Sequence, residues 1–222
     1  MPLFTTDLLE RSTLDHRILR DSEPPRDIDA ICFFGQTQEN DRVALRAIAE
    51  RWRKYHCPVL VGLCERIEKG VFIVRGSDAW VNDLEEYGVA RESVMVYPMS
   101  NKFPPSTDAE AYGMVEIIKR KSWSRLVVTV PPLHAVRAFV TFVSACVKSG
   151  LDDACIWSAP SEAPPWDEVV CYSGGMLQTS REKHIVVDAT KTTTYCLKGD
   201  HLTAREVIEY MQARPNKHPF FV

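Results

Sequence analysis

Apolar positions along the chain gather in short compact runs, and the stretches between them carry apolar residues at helical spacing. Residues 28–35 (IDAICFFG) form an apolar run ending in glycine, the pattern of a buried parallel strand and its turn. Over residues 40–55, Val43, Ala47, Ile48 and Trp52 fall on one face and Arg, Lys and Glu on the other, which predicts an amphipathic helix. Further strand runs stand at 58–63 (PVLVGL), 71–74, 93–98 (SVMVYP), 125–130 (RLVVTV) and 154–159. Helices are predicted between them: 78–87, stopped by Gly88; from Ser106/Thr107 to about Lys121; and 133–148, opened by Pro131-Pro132. Repeated strand-helix order specifies an α/β fold with a mainly parallel sheet covered on both faces.

The ends read differently. Residues 1–27 form a helical preface in which Leu8, Leu9, Leu14, Ile18 and Leu19 can share a face before the breaker Pro24-Pro25. Residues 28–222 are read as one α/β domain with a C-terminal extension, 161–222. Within it, SEAPPWDE is a proline-rich loop, Gly174-Gly175 a turn, and Thr203-x-x-Glu206 a capping box for a last helix ending near Arg214, ahead of the tail NKHPFFV. The composition of 184–197 (HIVVDATKTTTYCL) is strand-like, while the preceding MLQTSREK can open a helix that runs through it; both readings stand.

Composition bounds the function classes. The 222 residues are 45% hydrophobic and 26% charged, which excludes a disordered or fibrous chain. A formal charge of -3 argues against a protein that wraps nucleic acid or coats an anionic membrane. Seven scattered cysteines with no C-x-x-C pair read as reduced, mostly buried thiols. No apolar leader or 18-residue apolar span is present in the sequence, so a cytoplasmic protein is expected. His56, His184, His201 and His218 lack partners at metal-ligand spacing, and no metal site is expected.

In a parallel sheet, ligands meet the C-terminal ends of strands, where helix N-termini favour anions. Three junctions stand out: 35–41, 100–110 and 131–137. In the last, His134 and Arg137 are three apart in a first helical turn directly after Pro131. They suit a phosphate or carboxylate ligand, with Arg137 holding the anion and His134 as acid or base. Spacing alone favours a plainer use, His134 donating to a carbonyl and Arg137 pairing with a surface carboxylate. Thr107-x-x-Glu110 matches a capping box, with Ser106 and Asp108 beside it. The functional alternative makes Glu110 or Asp108 a base, or the partner of Arg137 or Arg42. The first turn carries Gly35, Gln36, Asn40 and Arg42 but no G-x-G-x-x-G, phosphate loop or nucleophile elbow. Trp166 is the aromatic placed to act as a lid over such a cleft.

The run IDAICFFG followed by Arg42, Gly88-Val89 before SVMVYP, the helix start Ser106-Thr107-x-x-Glu110-Ala111, and VPPLHAVRAF together resemble the YdcF-like family, which includes SanA and ElyC and is described as a domain of unknown function. The likeness spans residues 28–142, with a weaker echo in GDHLTAREVIEYM. It implies a Rossmann-like α/β domain and a ligand cleft around Gly35, Arg42, Ser106, Thr107, Glu110, His134 and Arg137. It also implies S-adenosylmethionine, or an anionic or nucleotide-like small molecule, as ligand. Two positions depart from the family pattern: Val130 where threonine is common, and Gly62-Leu63-Cys64 where many members have Ser-Gly-Gly. The expectation is an enzyme using His134, Glu110 and Arg137; the alternative is a binding module, sensor or scaffold.

Overall fold

The computed structural model describes residues 3–171 and 178–214. In chain order the elements are α1 (Leu3–Leu19), β1 (Ala30–Cys32), α2 (Gln38–Tyr55), β2 (Val59–Gly62), β3 (Ile67–Lys69), β4 (Phe72–Val74), α3 (Ser77–Glu86), β5 (Val94–Tyr97), α4 (Thr107–Lys121), β6 (Arg125–Val128), α5 (Pro132–Lys148), β7 (Cys155–Ser158), β8 (Val169–Cys171), β9 (Gln178–Ser180), α6 (Arg181–Leu197) and α7 (Ala204–Ala213). The five predicted buried runs form one parallel sheet in the order β5-β2-β1-β6-β7. Ile31 of β1 lies opposite Val59 on one side and Val127 on the other, so the register stacks β-branched residues across the centre.

Side-chain alternation divides the core into two layers. Ile31, Phe33, Val59, Val61 and Val127 face α2 and α3. Ala30, Cys32, Phe34, Leu60, Leu126 and Val128 face α4 and α5, with α1 and α7 completing that layer. The result is the three-layer, Rossmann-like α/β fold. α5 is buried almost all round, consistent with its mixture of large residues with alanines and serine at its packing faces. Gly88, at φ 89°, stops α3 as expected, its N–H donating to the Glu85 carbonyl.

Four sequence readings are revised or resolved. The apolar face of α1 is narrower than predicted: Leu14 and Ile18, one turn apart, are buried, whereas Leu9 and Leu19 are exposed, and the Leu8 side chain lies outside the described residues. The run 71–74 is one arm of an antiparallel hairpin, β3–β4. Residues 184–197 are helical, within α6. Their strand-like threonines are accommodated because Thr190, Thr192, Thr193 and Thr194 each donate to the carbonyl four residues back. The fourth change concerns the cap of α4 and is treated with the site. The Gly174-Gly175 turn and the tail 216–222 lie outside the described residues, whereas the Thr203/Glu206 capping box forms as predicted. Among the described residues, no helix is long and apolar enough to cross a membrane.

β7 ends the sheet, and side chains occupy its outer edge. Tyr210 Oη accepts from Ile156 N–H at 2.8 Å and donates to the Ala154 carbonyl at 2.7 Å. Arg214 donates to the Ile156 carbonyl at 2.5 Å, and Asp21, paired with Arg214, accepts from Ser158 N–H at 2.9 Å. This is how a short edge strand is kept from pairing with another chain. Tyr210→Phe leaves the Ile156 and Ala154 groups without these partners and is expected to cost about 1–3 kcal/mol in urea denaturation, with unchanged far-UV circular dichroism.

Candidate functional site

The chain leaves β1 toward β2 on one side and reaches β6 on the other, so the C-terminal ends of β1 and β6 flank the point where strand order reverses. Gly35 stands at this point, just beyond β1. Its N–H donates to Glu110 Oε1 at 2.7 Å. A Cβ at Gly35 would lie 2.6 Å from Trp80 Cη2 and 3.1 Å from Glu110 Oε1, so only glycine allows both neighbours to close on the backbone. Trp80 is fixed in turn: its ring packs edge-on against Phe33, and its indole N–H donates to Asp41 Oδ2 at 2.8 Å. Arg75 holds Asp41 through two bonds, at 2.9 and 2.8 Å, and also reaches Asp83.

Glu110 enters from the opposite layer, on the first turn of α4. Gly113, one turn on, lets α4 approach: a Cβ there would stand 2.7 Å from the Pro98 carbonyl oxygen and 2.8 Å from the Tyr97 ring. The predicted Thr107–Glu110 capping box is not the cap that forms. Ser106 is the N-cap, its hydroxyl accepting from Ala109 N–H at 3.3 Å, while the Glu110 carboxyl turns inward to Gly35. Burial pushes the Glu110 carboxyl up to about 8, against the Gly35 N–H and the Arg137 charge, which both favour the carboxylate.

His134 and Arg137 share the buried face of the first turns of α5, as their spacing predicted, but their partner comes from elsewhere. Asp188 of α6 places Oδ2 2.9 Å from His134 Nδ1 and Oδ1 3.0 Å from Arg137 Nε, while Arg137 Nη2 lies 3.1 Å from the same His134 Nδ1. All three side chains are buried. Burial, followed by the Arg137 and Lys191 charges, draws the His134 pKa down, with Asp188 opposing. Lys191, one turn beyond Asp188, is lowered by burial and by Arg137. The plainer expectation for Arg137, a surface carboxylate, is therefore replaced by a buried one.

The remaining predicted residues divide. Gln36 is buried next to Gly35, and neither amide atom has a hydrogen-bond partner among the described residues. Pro131 is the N-cap of α5 and Pro132 its first residue. Because neither carries an N–H and His134 N–H bonds the Pro131 carbonyl, this helix start offers fewer amide donors to an anion than expected. Thr107 is buried, and Asp108 is held by His201 Nε2 at 2.9 Å, tying α4 to the segment between α6 and α7. Arg42 is exposed on α2 and does not join the cluster; Asp41, beside it, is the buried charge. Trp166 lies in the loop before β8 and is about one-third exposed, its carbonyl accepting from Glu182 N–H. Asn40 bonds Thr37 and buried Arg181, whose guanidinium also reaches the carbonyls of Pro165 and Glu39 and the Glu168 carboxylate, seating the extension on α2.

Sequence reasoning missed Asp188, Lys191 and the Asp41–Arg75–Trp80 network. A signal for Asp188 was present: Arg181, His184, Asp188 and Thr192 recur at helical spacing and are the buried residues of α6. Among the described residues, no three His, Cys, Asp or Glu side chains gather as a metal site.

The raised Glu110 pKa fixes the sign of a pH effect. Between its ordinary 4.5 and about 8 the folded chain keeps a proton that the unfolded chain has lost. This contribution to stability is therefore full below 4.5 and lost as pH rises through 8, by up to about 4–5 kcal/mol. Urea denaturation across that range is expected to lose most of this slope in Glu110→Gln. Gly35→Ala, which drives a methyl group into Trp80, is expected to cost about 1–3 kcal/mol in the same measurement. No family model, no curated protein and no solved structure matches the chain.

Proposed function

We propose that this chain is an enzyme that moves protons on an anionic, phosphate-bearing small molecule bound at the C-terminal ends of β1 and β6. The observation that carries the reading is a pair of buried groups shifted toward opposite roles. Glu110, at about 8, keeps its proton at neutral pH and can donate it; His134, drawn down, is neutral and can accept one. Arg137 acts on both. Burial and then Arg137 depress both His134 and Lys191, with Asp188 opposing; the Arg137 and Lys191 cations thus face a single carboxylate, and an entering anion balances the second positive charge. Gln36, buried and with no partner for its amide among the described residues, supplies a donor and an acceptor for a polar ligand group. The same location is implied by the resemblance to the YdcF-like family.

S-adenosylmethionine fits less well. In this type of fold an acidic side chain near the end of the second strand meets the ribose hydroxyls. Here β2 ends at Gly62 and is followed by exposed Leu63, half-buried Cys64 and only then the exposed Glu65, three residues beyond the strand, while the Glu110 side chain, whose Cγ lies beside Gly62, has its carboxyl bonded to Gly35. No step is assigned to that group.

A second reading, a binding module or scaffold without turnover, is favoured by one observation: Asp188, His134 and Arg137 engage one another, an arrangement that also serves to tie α6 to α5. Thermal-shift titration with inorganic phosphate, a sugar phosphate, a nucleoside monophosphate and S-adenosylmethionine separates these cases. A phosphate ester at about 100 times its Kd is expected to raise Tm by roughly 5–10 °C, with the shift reduced in His134→Ala. With that ester as substrate, Glu110→Gln and His134→Gln are each expected to lower kcat by about 10²–10⁴-fold. Ester recovered unchanged from the wild type supports the binding module, and equal shifts in wild type and His134→Ala place the ligand elsewhere.

A further inference from the structure

We infer that Asp188, carried on α6 of the C-terminal extension, is the positioning residue that fixes the His134 proton on Nδ1 and leaves Nε2 as the proton-accepting atom. The inference rests on the acid–base reading of His134 for its functional meaning, but the placement of the proton follows from geometry.

His134 Nδ1 faces two groups of opposite demand. Asp188 Oδ2, 2.9 Å away, can only accept from it if ionised, whereas Arg137 Nη2, 3.1 Å away, can only donate. An imidazole nitrogen has one in-plane direction for a proton or a lone pair, so one contact is satisfied at the expense of the other. The carboxylate wins. It is the closer group, its Oδ1 is paired with Arg137 Nε at 3.0 Å, which favours the ionised form, and a lone pair on Nδ1 would face a negatively charged oxygen across 2.9 Å. With Nδ1–H donating to Asp188, the lone pair of the neutral ring lies on Nε2. The arrangement is that of a base oriented by a third group.

The surroundings hold Asp188 in place. Arg181, His184 and Thr192 flank it on the buried face of α6, and Thr192 Oγ donates to the Asp188 carbonyl at 2.8 Å. Arg181 fastens the start of the helix to α2 through Asn40 and the Glu39 carbonyl. Asp188 therefore arrives against α5 at a set height, and the extension adds Asp188 and Lys191 to a cluster whose His134 and Arg137 lie on α5.

Replacing Asp188 by Asn tests the geometry with little change in shape. The Arg137 cation beside the Oδ1 position favours the carboxamide oxygen there, which turns the amide N–H groups toward Nδ1. Both neighbours of Nδ1 are then donors, and the ring proton moves to Nε2. The experiment is long-range proton–nitrogen NMR of histidine-labelled protein above neutral pH, with the His134 signals assigned by their loss in His134→Gln. The wild type is expected to show a protonated Nδ1 and a bare Nε2, and Asp188→Asn the reverse. The His134 pKa is expected to fall further in Asp188→Asn, because burial, Arg137 and Lys191 then act without the opposing carboxylate. Thr192→Val, which removes a buried hydroxyl from the same face and leaves the carboxylate, is expected to keep the wild-type tautomer.

A wild-type ring protonated on Nε2 overturns the inference without need of any variant, as does an Nδ1–H tautomer retained in Asp188→Asn. For a substrate found by the titration above, the reversed tautomer is expected to lower kcat by about 10²-fold or more while KM changes little. A reversed tautomer with undiminished turnover overturns the acid–base role of His134 and leaves its orientation by Asp188 standing.

Discussion

Both layers of this protein converge on one backbone unit. At Gly35 the indole of Trp80 arrives from the α2/α3 side and the carboxyl of Glu110 from the α4 side, and the absence of a Cβ lets them approach within contact of the same residue. Neither approach is independent. Trp80 is oriented by Asp41 and, through it, by Arg75, so a salt bridge near the β3–β4 hairpin sets where the aromatic floor of the turn lies. Glu110 is brought in by the close packing of α4 on the end of β5 at Gly113. Close-packed interiors transmit such constraints because little free volume is available to absorb a displacement. The end of β1 is thus positioned by side chains on two faces of the sheet.

The architecture was legible because its driving force is the one that patterning records. Strands buried on both faces read as continuous apolar runs, and helices that cover them carry one apolar face; 28–35 and 40–55 are plain instances. His134, Arg137 and Glu110 were also legible as to place, because strand order confines ligand chemistry to one end of a parallel sheet. Their partners were not. The capping-box pattern at Thr107 and Glu110 was met by Ser106 instead, which released the carboxyl for the long-range bond to Gly35. Arg42 drew notice as a charge near a strand end, but the buried charge is its neighbour Asp41, and only the packed Trp80 and Arg75 distinguish the two.

α6 illustrates the deeper reason. It buries Arg181, His184, Asp188 and Thr192 and exposes Ile185, Val186 and Leu197, the reverse of the usual amphipathic helix. Hydrophobic periodicity looks for the apolar face and finds it pointing outward. What seats the helix is hydrogen bonding and ion pairing that need α2, α5 and the 161–168 loop already in place, information spread over distant parts of the chain. Buried polar groups of this kind add less to stability than an apolar seam of equal size, but they accept far fewer alternative arrangements.

The late position of α6 in the chain gives its contacts an order in time. Arg181 bonds Asn40, Asp188 meets His134 and Arg137, and His201 meets Asp108, so each clasp joins a residue of α6 or just beyond it to one made much earlier. Domains fold as units while the chain is still being extended, and the five strands are complete by Ser158. On the ribosome the sheet can therefore assemble while the imidazole of His134 still lacks its carboxylate. The cluster of His134, Arg137 and Asp188 closes only once residues 181–197 have emerged and docked.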